Sequence, residues 1–192
     1  MKNLNAPSFA SFSKYDLVKA LLLISEAPLG RNQLMKILGL SEASTRSLMK
    51  KLSSAKFAKA TTKGLSLTDN GKKFVKELKT FLSGPAQIKY GNFSVAFKVV
   101  NSAGLVNLGL EQRDAAISKG AGGCLVLVFR NNRLIMPGVE GLENAYLNVF
   151  TGIRENFKLA ENDAIVIAFA DEKRKAELGA WAAAETLLSA VL

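Results

Sequence analysis

The sequence predicts an α+β chain in two parts: residues 1–84, a helical domain closed by a β-hairpin, and residues 85–192, a small sheet with helices. Three observations predict it. Apolar residues recur at helical spacing through residues 13–57, interrupted at Gly39 and Ser41 by a short turn. The period then drops to two on either side of Thr62-Lys63-Gly64. From residue 92 onward, strand-like apolar runs alternate with helical stretches in the order β-α-β-β-α-β plus a helix. With 192 residues, 48% of them hydrophobic, the chain is long enough to bury such cores.

Residues 1–12 are polar, with Pro7, and read as a short arm. Ser13 can cap a helix reaching about residue 25, in which Leu17, Ala20, Leu21 and Ile24 make an inward stripe. Pro28 punctuates. Residues 30–38 read as a short second helix with Leu34, Ile37 and Leu38 apolar, and Gly39 stands where a left-handed C-cap is wanted. A third helix follows over residues 40–57, with Ser41 placed to accept a bond from the Ser44 N–H and Leu40 placed as a hydrophobic staple.

On that helix Thr45, Leu48, Met49, Leu52 and Lys56 fall on one side, and Ala43, Arg46, Ser47, Lys50 and Ser54 on the other. The second face is small, polar and basic. A helix entering the DNA major groove needs such a face, with Arg and Lys for guanine edges and phosphates and Ser for adaptable bonds. A solvated surface helix would look the same, so its neighbours decide. Residues 58–61 and 65–67 form two short strands, a wing, after which Thr68 caps a closing helix with Phe74, Leu78, Phe81 and Leu82 inward and its lysines outward.

The runs LGLSEASTRSLMKKLSSAKF and KGLSLTDNGKKFVKEL resemble the winged helix-turn-helix DNA-binding superfamily, in the style of MarR-like and ArsR-like regulators, over about residues 13–82. The strongest match is Leu67-Thr68-Asp69-Asn70-Gly71, which is similar to the superfamily's LTxxG motif. By position, the resemblance implies that Ser44, Arg46, Ser47, Lys50 and Lys51 approach bases and phosphates, that Lys63 at the wing tip approaches a minor groove or the backbone, and that Arg31 and Asn32 contact the backbone. The wing tip has a single lysine and the wing no arginine, which favours phosphate contact over base reading.

Charge supports the same half. Fifteen bases and five acids precede Gly84, and the remaining eleven bases meet eleven acids, so the whole excess of +10 lies on the helical domain. That is the electrostatic footprint of a nucleic-acid module joined to a domain with another task. Absence of histidine excludes His-based triads, His-containing zinc sites and imidazole acid/base chemistry. The lone Cys124 permits no intramolecular disulfide, which suits a reducing cytoplasm, and reads as a small buried hydrophobe. No signal peptide and no apolar run of the ~20 residues that span a bilayer is evident, so a cytoplasmic location and no membrane partner are expected.

Ser83-Gly84-Pro85 reads as the domain boundary. Beyond it, residues 92–100 read as a strand, 108–119 as a helix ended by a Gly-Ala-Gly-Gly turn, and 124–129 and 133–136 as strands joined at Asn131-Asn132. Residues 142–157 read as a helix, Asn162-Asp163 as a turn, 164–170 as a buried strand and 171–191 as a long closing helix. This order fits a split βαβ, ferredoxin-like sandwich, with an open sheet of different strand order as the alternative.

Chemistry in this domain is sparse. Gly120 to Gly123 could cradle phosphate with Arg113 or Arg130, but the turn precedes a strand, and phosphate loops precede helices. A plain helix-to-strand connection is the preferred reading. Glu111, Arg113 and Asp114, like Asp171-Glu172 before Lys173-Arg174-Lys175, read as helix-start charges. No catalytic, metal or cofactor site is expected, and an enzyme is not.

Trp181 and its alanine-rich surroundings, with Leu187, Leu188, Val191 and Leu192, make the last helix apolar nearly all round, either packed on its own sheet or buried in a dimer. The run GLEQRDAAISKGAGGCLVLVFRNNRLIMPG resembles an archaeal family whose C-terminal domain has no assigned function. The expectation is therefore a cytoplasmic transcription regulator that binds double-stranded DNA as a homodimer, with a C-terminal domain for dimerisation or for a small-molecule effector. The alternative is a winged-helix protein-interaction module of a larger assembly, without sequence-specific DNA binding.

Overall fold

A computed structural model describes residues 11–139 and 146–188. The chain divides into two compact units, residues 1–79 and 80–192. All but the end of the expected arm lies outside the described residues; of that end, Phe12 is buried.

In the first unit, α1 (Lys14–Glu26) opens on a reciprocal cap. The Ser13 hydroxyl accepts from the Asp16 N–H at 3.2 Å, and the Asp16 carboxylate accepts from the Ser13 N–H at 2.7 Å. Its expected stripe is buried, with Leu17, Ala20 and Leu21 wholly inaccessible. α2 (Arg31–Leu38) ends at Gly39, whose φ of 65° is the left-handed cap the sequence anticipates. α3 (Glu42–Ser54) follows after the three residues Gly39, Leu40 and Ser41, shorter at both ends than the expected helix because Ser41 caps it and Lys56 turns to φ 60°.

Antiparallel β1 (Ala58–Thr61) and β2 (Gly64–Leu67) make the hairpin. Leu29 adds a bridge to it, with N–H···O bonds of 3.2 and 2.9 Å exchanged with Leu65. α4 (Asp69–Phe81) closes the unit with Gly71, Val75 and Leu78 buried.

The second unit is built on a five-stranded sheet. Its strands are β3 (Leu82–Gln87), β4 (Phe93–Val99), β5 (Gly123–Arg130), β6 (Arg133–Ile135) and β7 (Ala164–Ala170), in the order β3-β4-β7-β5-β6 with every neighbour antiparallel. The α+β class holds, but the ferredoxin-like order does not. In that order the last strand is an edge and both helices cover one face. Here β7 lies at the centre between β4 and β5. α5 (Leu110–Ile117) and α7 (Lys173–Leu188) pack together over one face, with Trp181 edge-on to Phe97 at 6.0 Å. On the other face α6 (Leu147–Asn156) places Val149, Phe150 and Ile153 against Ala96, Leu127, Phe129, Ile165 and Ile167.

The first four residues of the expected 142–157 helix lie outside the described residues, as does 189–191 at the end of the last one. Ser83-Gly84-Pro85 is no linker. It belongs to β3, an edge strand whose register with β4 shifts between Ser83 and Ala86. The alanine-rich α7 is covered within its own unit: Ala180, Ala183, Ala184 and Leu188 are at 1% exposure or less.

Candidate nucleic-acid interface

The start of α3 is fixed by three hydroxyls. Ser41 accepts from the Ser44 N–H at 3.2 Å, and the Thr45 hydroxyl donates to the Ser41 carbonyl at 2.9 Å. The Ser44 hydroxyl itself bonds to Ser41 at 2.7 Å and to Ser11. Ser44 is only 5% exposed. It therefore supports the cap from inside and is not placed to approach bases or phosphates, which corrects the expectation for this residue. Leu48 and Leu52 are fully buried beneath the helix, leaving Ala43, Arg46, Ser47, Lys50 and Ser54 exposed on the far side and Lys51 half-buried.

Arg31 and Asn32 are exposed at the start of α2. The structure brings Arg31 and Arg46 to one carboxylate oxygen, Glu42 Oε1, at 3.3 and 3.0 Å. Glu42 escaped the sequence reading, although it stands one helical turn before Arg46, a spacing that favours an ion pair. The two arginines are thus a linked pair with a shared acid between them.

The hairpin is positioned by Thr68. Its hydroxyl donates to the Lys56 carbonyl at 2.6 Å and accepts from the Gly71 N–H at 3.1 Å, while its own N–H donates to the Phe57 carbonyl at 3.0 Å. Only glycine fits at position 71, since a Cβ there would stand 2.0 Å from the Phe57 oxygen. The Leu-Thr-Asp-Asn-Gly run therefore ties the end of α3, the hairpin and α4 into one rigid corner. Beside it the Lys72 ammonium, 3.0 Å from Asp69, holds that carboxyl below its ordinary range by hydrogen bonding and then by charge. Lys63 is exposed in the hairpin turn, and Thr61 braces that turn by donating to the Gly64 carbonyl at 2.8 Å. Lys59 on β1 is a further exposed base that the position-by-position reading omitted.

The second unit offers less. In the Gly-Ala-Gly-Gly turn, the Gly122 N–H donates to the Phe169 carbonyl at 2.8 Å, and a Cβ on Gly123 would stand 2.5 Å from the Phe169 ring. These glycines make room for a neighbouring strand. Arg130 donates to the Ala103 carbonyl at 3.2 Å. Burial pushes the Cys124 thiol up to about 12, so it is a packing residue and no nucleophile. Among the described residues no group of three or more potential ligands could hold a metal ion, and no helix is long and apolar enough to cross a membrane.

Comparison with known proteins places this geometry in a family. No curated protein matches the chain. Residues 15–73, which contain α1 to the start of α4, match the family described as PH0730-like, N-terminal domain. The solved structure of hypothetical protein PH0730 from Pyrococcus horikoshii OT3 is similar over 94% of this chain and 95% of its own, at 27% identity and a TM-score of 0.80. Residues 90–187, just over half the chain and nearly all of the second unit's sheet and helices, match the Domain of unknown function family DUF4443, and the chain belongs to that family.

Proposed function

We propose that this protein is a DNA-binding transcription regulator that lays α3 in the major groove, sets its wing against the backbone, and uses its second unit to dimerise or to sense a small molecule. The observation that carries the reading is the exposed row Arg46, Ser47 and Lys50 on a helix otherwise packed down by Leu48 and Leu52. A groove-reading helix needs one rigid buried face and one free polar face. The Thr68 corner holds Lys63 in a fixed relation to that row, and the excess charge of the chain lies on the same half. Arg46 is the base reader and Lys50, Lys51, Lys63, Arg31 and Asn32 are phosphate contacts, with Ser47 free for adaptable bonds.

The dimer rests on the two-fold symmetry of operator sites. The apolar α7 adds no support to it, being covered within its own unit. Selection of bound sequences from random duplex DNA tests the reading. The expected result is a two-fold symmetric consensus whose affinity falls steeply with salt and is lost in the Arg46→Ala/Lys50→Ala variant. Failure to shift any genomic fragment at low salt, or unchanged binding by that variant, overturns it.

A further inference from the structure

The hairpin between β3 and β4 borders a cavity of about 630 Å³, within the range of small-molecule sites. Its lining lies wholly in the second unit and combines groups of three kinds. Ile88 and Val95 are buried and apolar. Phe93 keeps 41% of its surface exposed, although the six residues after it in β4 are buried, so a large ring is left at the cavity. Lys89 and Lys173 also line it, and neither has an ion-pair or hydrogen-bond partner among the described residues. In the same unit Lys98 and Lys175 are both paired.

The walls are already ordered. The Tyr90 N–H donates to the Ile88 carbonyl at 3.0 Å and the Ile88 N–H to the Ser94 carbonyl at 3.3 Å. The Tyr90 ring stands edge-on to Phe169 at 5.0 Å and leans on Tyr146 at 5.7 Å. Asn92 donates to the Asp171 carboxylate at 3.0 Å, which ties the β3–β4 loop to the segment just before α7. A ligand entering such a site orders little of the protein, so more of its contact energy remains as affinity.

We propose that this cavity binds a small organic anion carrying a flat ring, with its carboxylate or phosphate held by Lys89 and Lys173 and its ring packed on Phe93. Two lysines without a partner among the described residues leave positive charge along this lining for an anion to meet, and an apolar wall with an exposed ring favours a ligand that is more than a bare ion. The inference deepens the sensing role proposed above and rests on it for biological meaning, whereas binding itself is read on the protein alone.

The test is an amide chemical-shift titration of the full chain with phenyl phosphate, benzoate, inorganic phosphate and benzamide. Saturable shifts at Lys89, Tyr90, Gly91, Phe93 and Lys173 are expected from phenyl phosphate or benzoate, and the tighter of the two identifies the anionic group. Inorganic phosphate, without the ring, and benzamide, without the charge, bind about tenfold more weakly or worse. Lys89→Ala/Lys173→Ala changes two exposed residues, keeps the melting temperature, and raises Kd for the ring anion about tenfold or more.

No saturable shift from either ring anion, equal binding of benzamide or of inorganic phosphate, or unchanged affinity in the double variant overturns the proposal. DNA binding measured separately distinguishes the two readings. A chain that binds phenyl phosphate or benzoate at these residues but binds no duplex keeps the site and loses the regulator; one that binds duplex without these shifts does the reverse.

Discussion

Glu42 shows how much one side chain can alter a basic surface. Its Oε1 lies within 3.3 Å of Arg31 and 3.0 Å of Arg46, all three being exposed. Exposed pairs of this kind add little to stability. Their effect is on direction: a guanidinium held by an acid has fewer orientations in which to meet a random phosphate. Glu42→Gln is therefore expected to leave the melting temperature unchanged and to strengthen binding to arbitrary duplex. Its plot of log affinity against log salt steepens by about 0.9 for each additional phosphate neutralised. If Arg46 reads a guanine as proposed, discrimination for the selected site falls about fivefold or more, because the guanidinium is no longer held in one direction. Anisotropy titrations over a salt series measure all of these, and an unchanged specificity ratio would refute the positioning role.

At the same scale Cys124 should be silent. With its thiol near 12 the thiolate is scarce at pH 8, and a disulfide reagent should react about a thousandfold more slowly than with a free cysteine until the chain unfolds. Both behaviours were open to a reader of sequence only in part. Burial of Cys124 follows from its apolar run, whereas the Arg31–Glu42 pair joins two helices and needs the fold.

At the scale of elements, legibility followed local chemistry. Asn131-Asn132 reads as a turn because asparagine tolerates positive φ, and the two residues take 51° and 60°. Ser13, Gly39, Ser41 and Thr68 announce helix ends for equally local reasons. β3 was hidden, because Ser-Gly-Pro looks like a linker. Proline is admitted to a sheet at an edge, and β3 is an edge with a shifted register. The strand order was hidden too, yet a signal existed. β7 is apolar at every position of AIVIAFA, which suits a strand covered on both faces at the centre of a sheet, and that is where it lies.

A buried ion pair connects these strands to their loops. Lys98 on β4 meets Asp163 at 2.9 Å and also donates to the Lys158 carbonyl at 2.9 Å, while Asp163 accepts from the N–H groups of Asn101 and Ala160. Asp163 is 1% exposed in its side chain and Lys98 10%. Asp163→Ala leaves an ammonium without its counter-charge in that environment and should cost about 3–5 kcal/mol in urea unfolding. Lys98→Met/Asp163→Ala should recover part of that loss, because no lone charge remains. A single variant as stable as the parent would show the pair to be ornamental.

The whole molecule separates its charge from its larger sheet. The first half carries all of the +10 excess and the second half is neutral, a division that no packing requirement explains. It is legible in the sequence, since it is a count along the chain. How many chains meet one duplex is a different matter, because a count of charges along one chain is the same in a monomer and a dimer.

Salt dependence separates the two. If Arg31, Lys50, Lys51 and Lys63 each neutralise one phosphate, a single chain gives a slope of log affinity against log salt near −3.6, and two chains on a symmetric site give a slope near −7. Removing one of these bases by Lys63→Ala lowers the slope by about 0.9 for one chain and by about 1.8 for two, on every sequence alike, because a phosphate contact carries no base information. A slope near −7 that drops by about 1.8 therefore establishes both the interface and the two-fold complex. A slope near zero means that the charged half contacts no phosphate, and it overturns the assignment of these four residues to DNA.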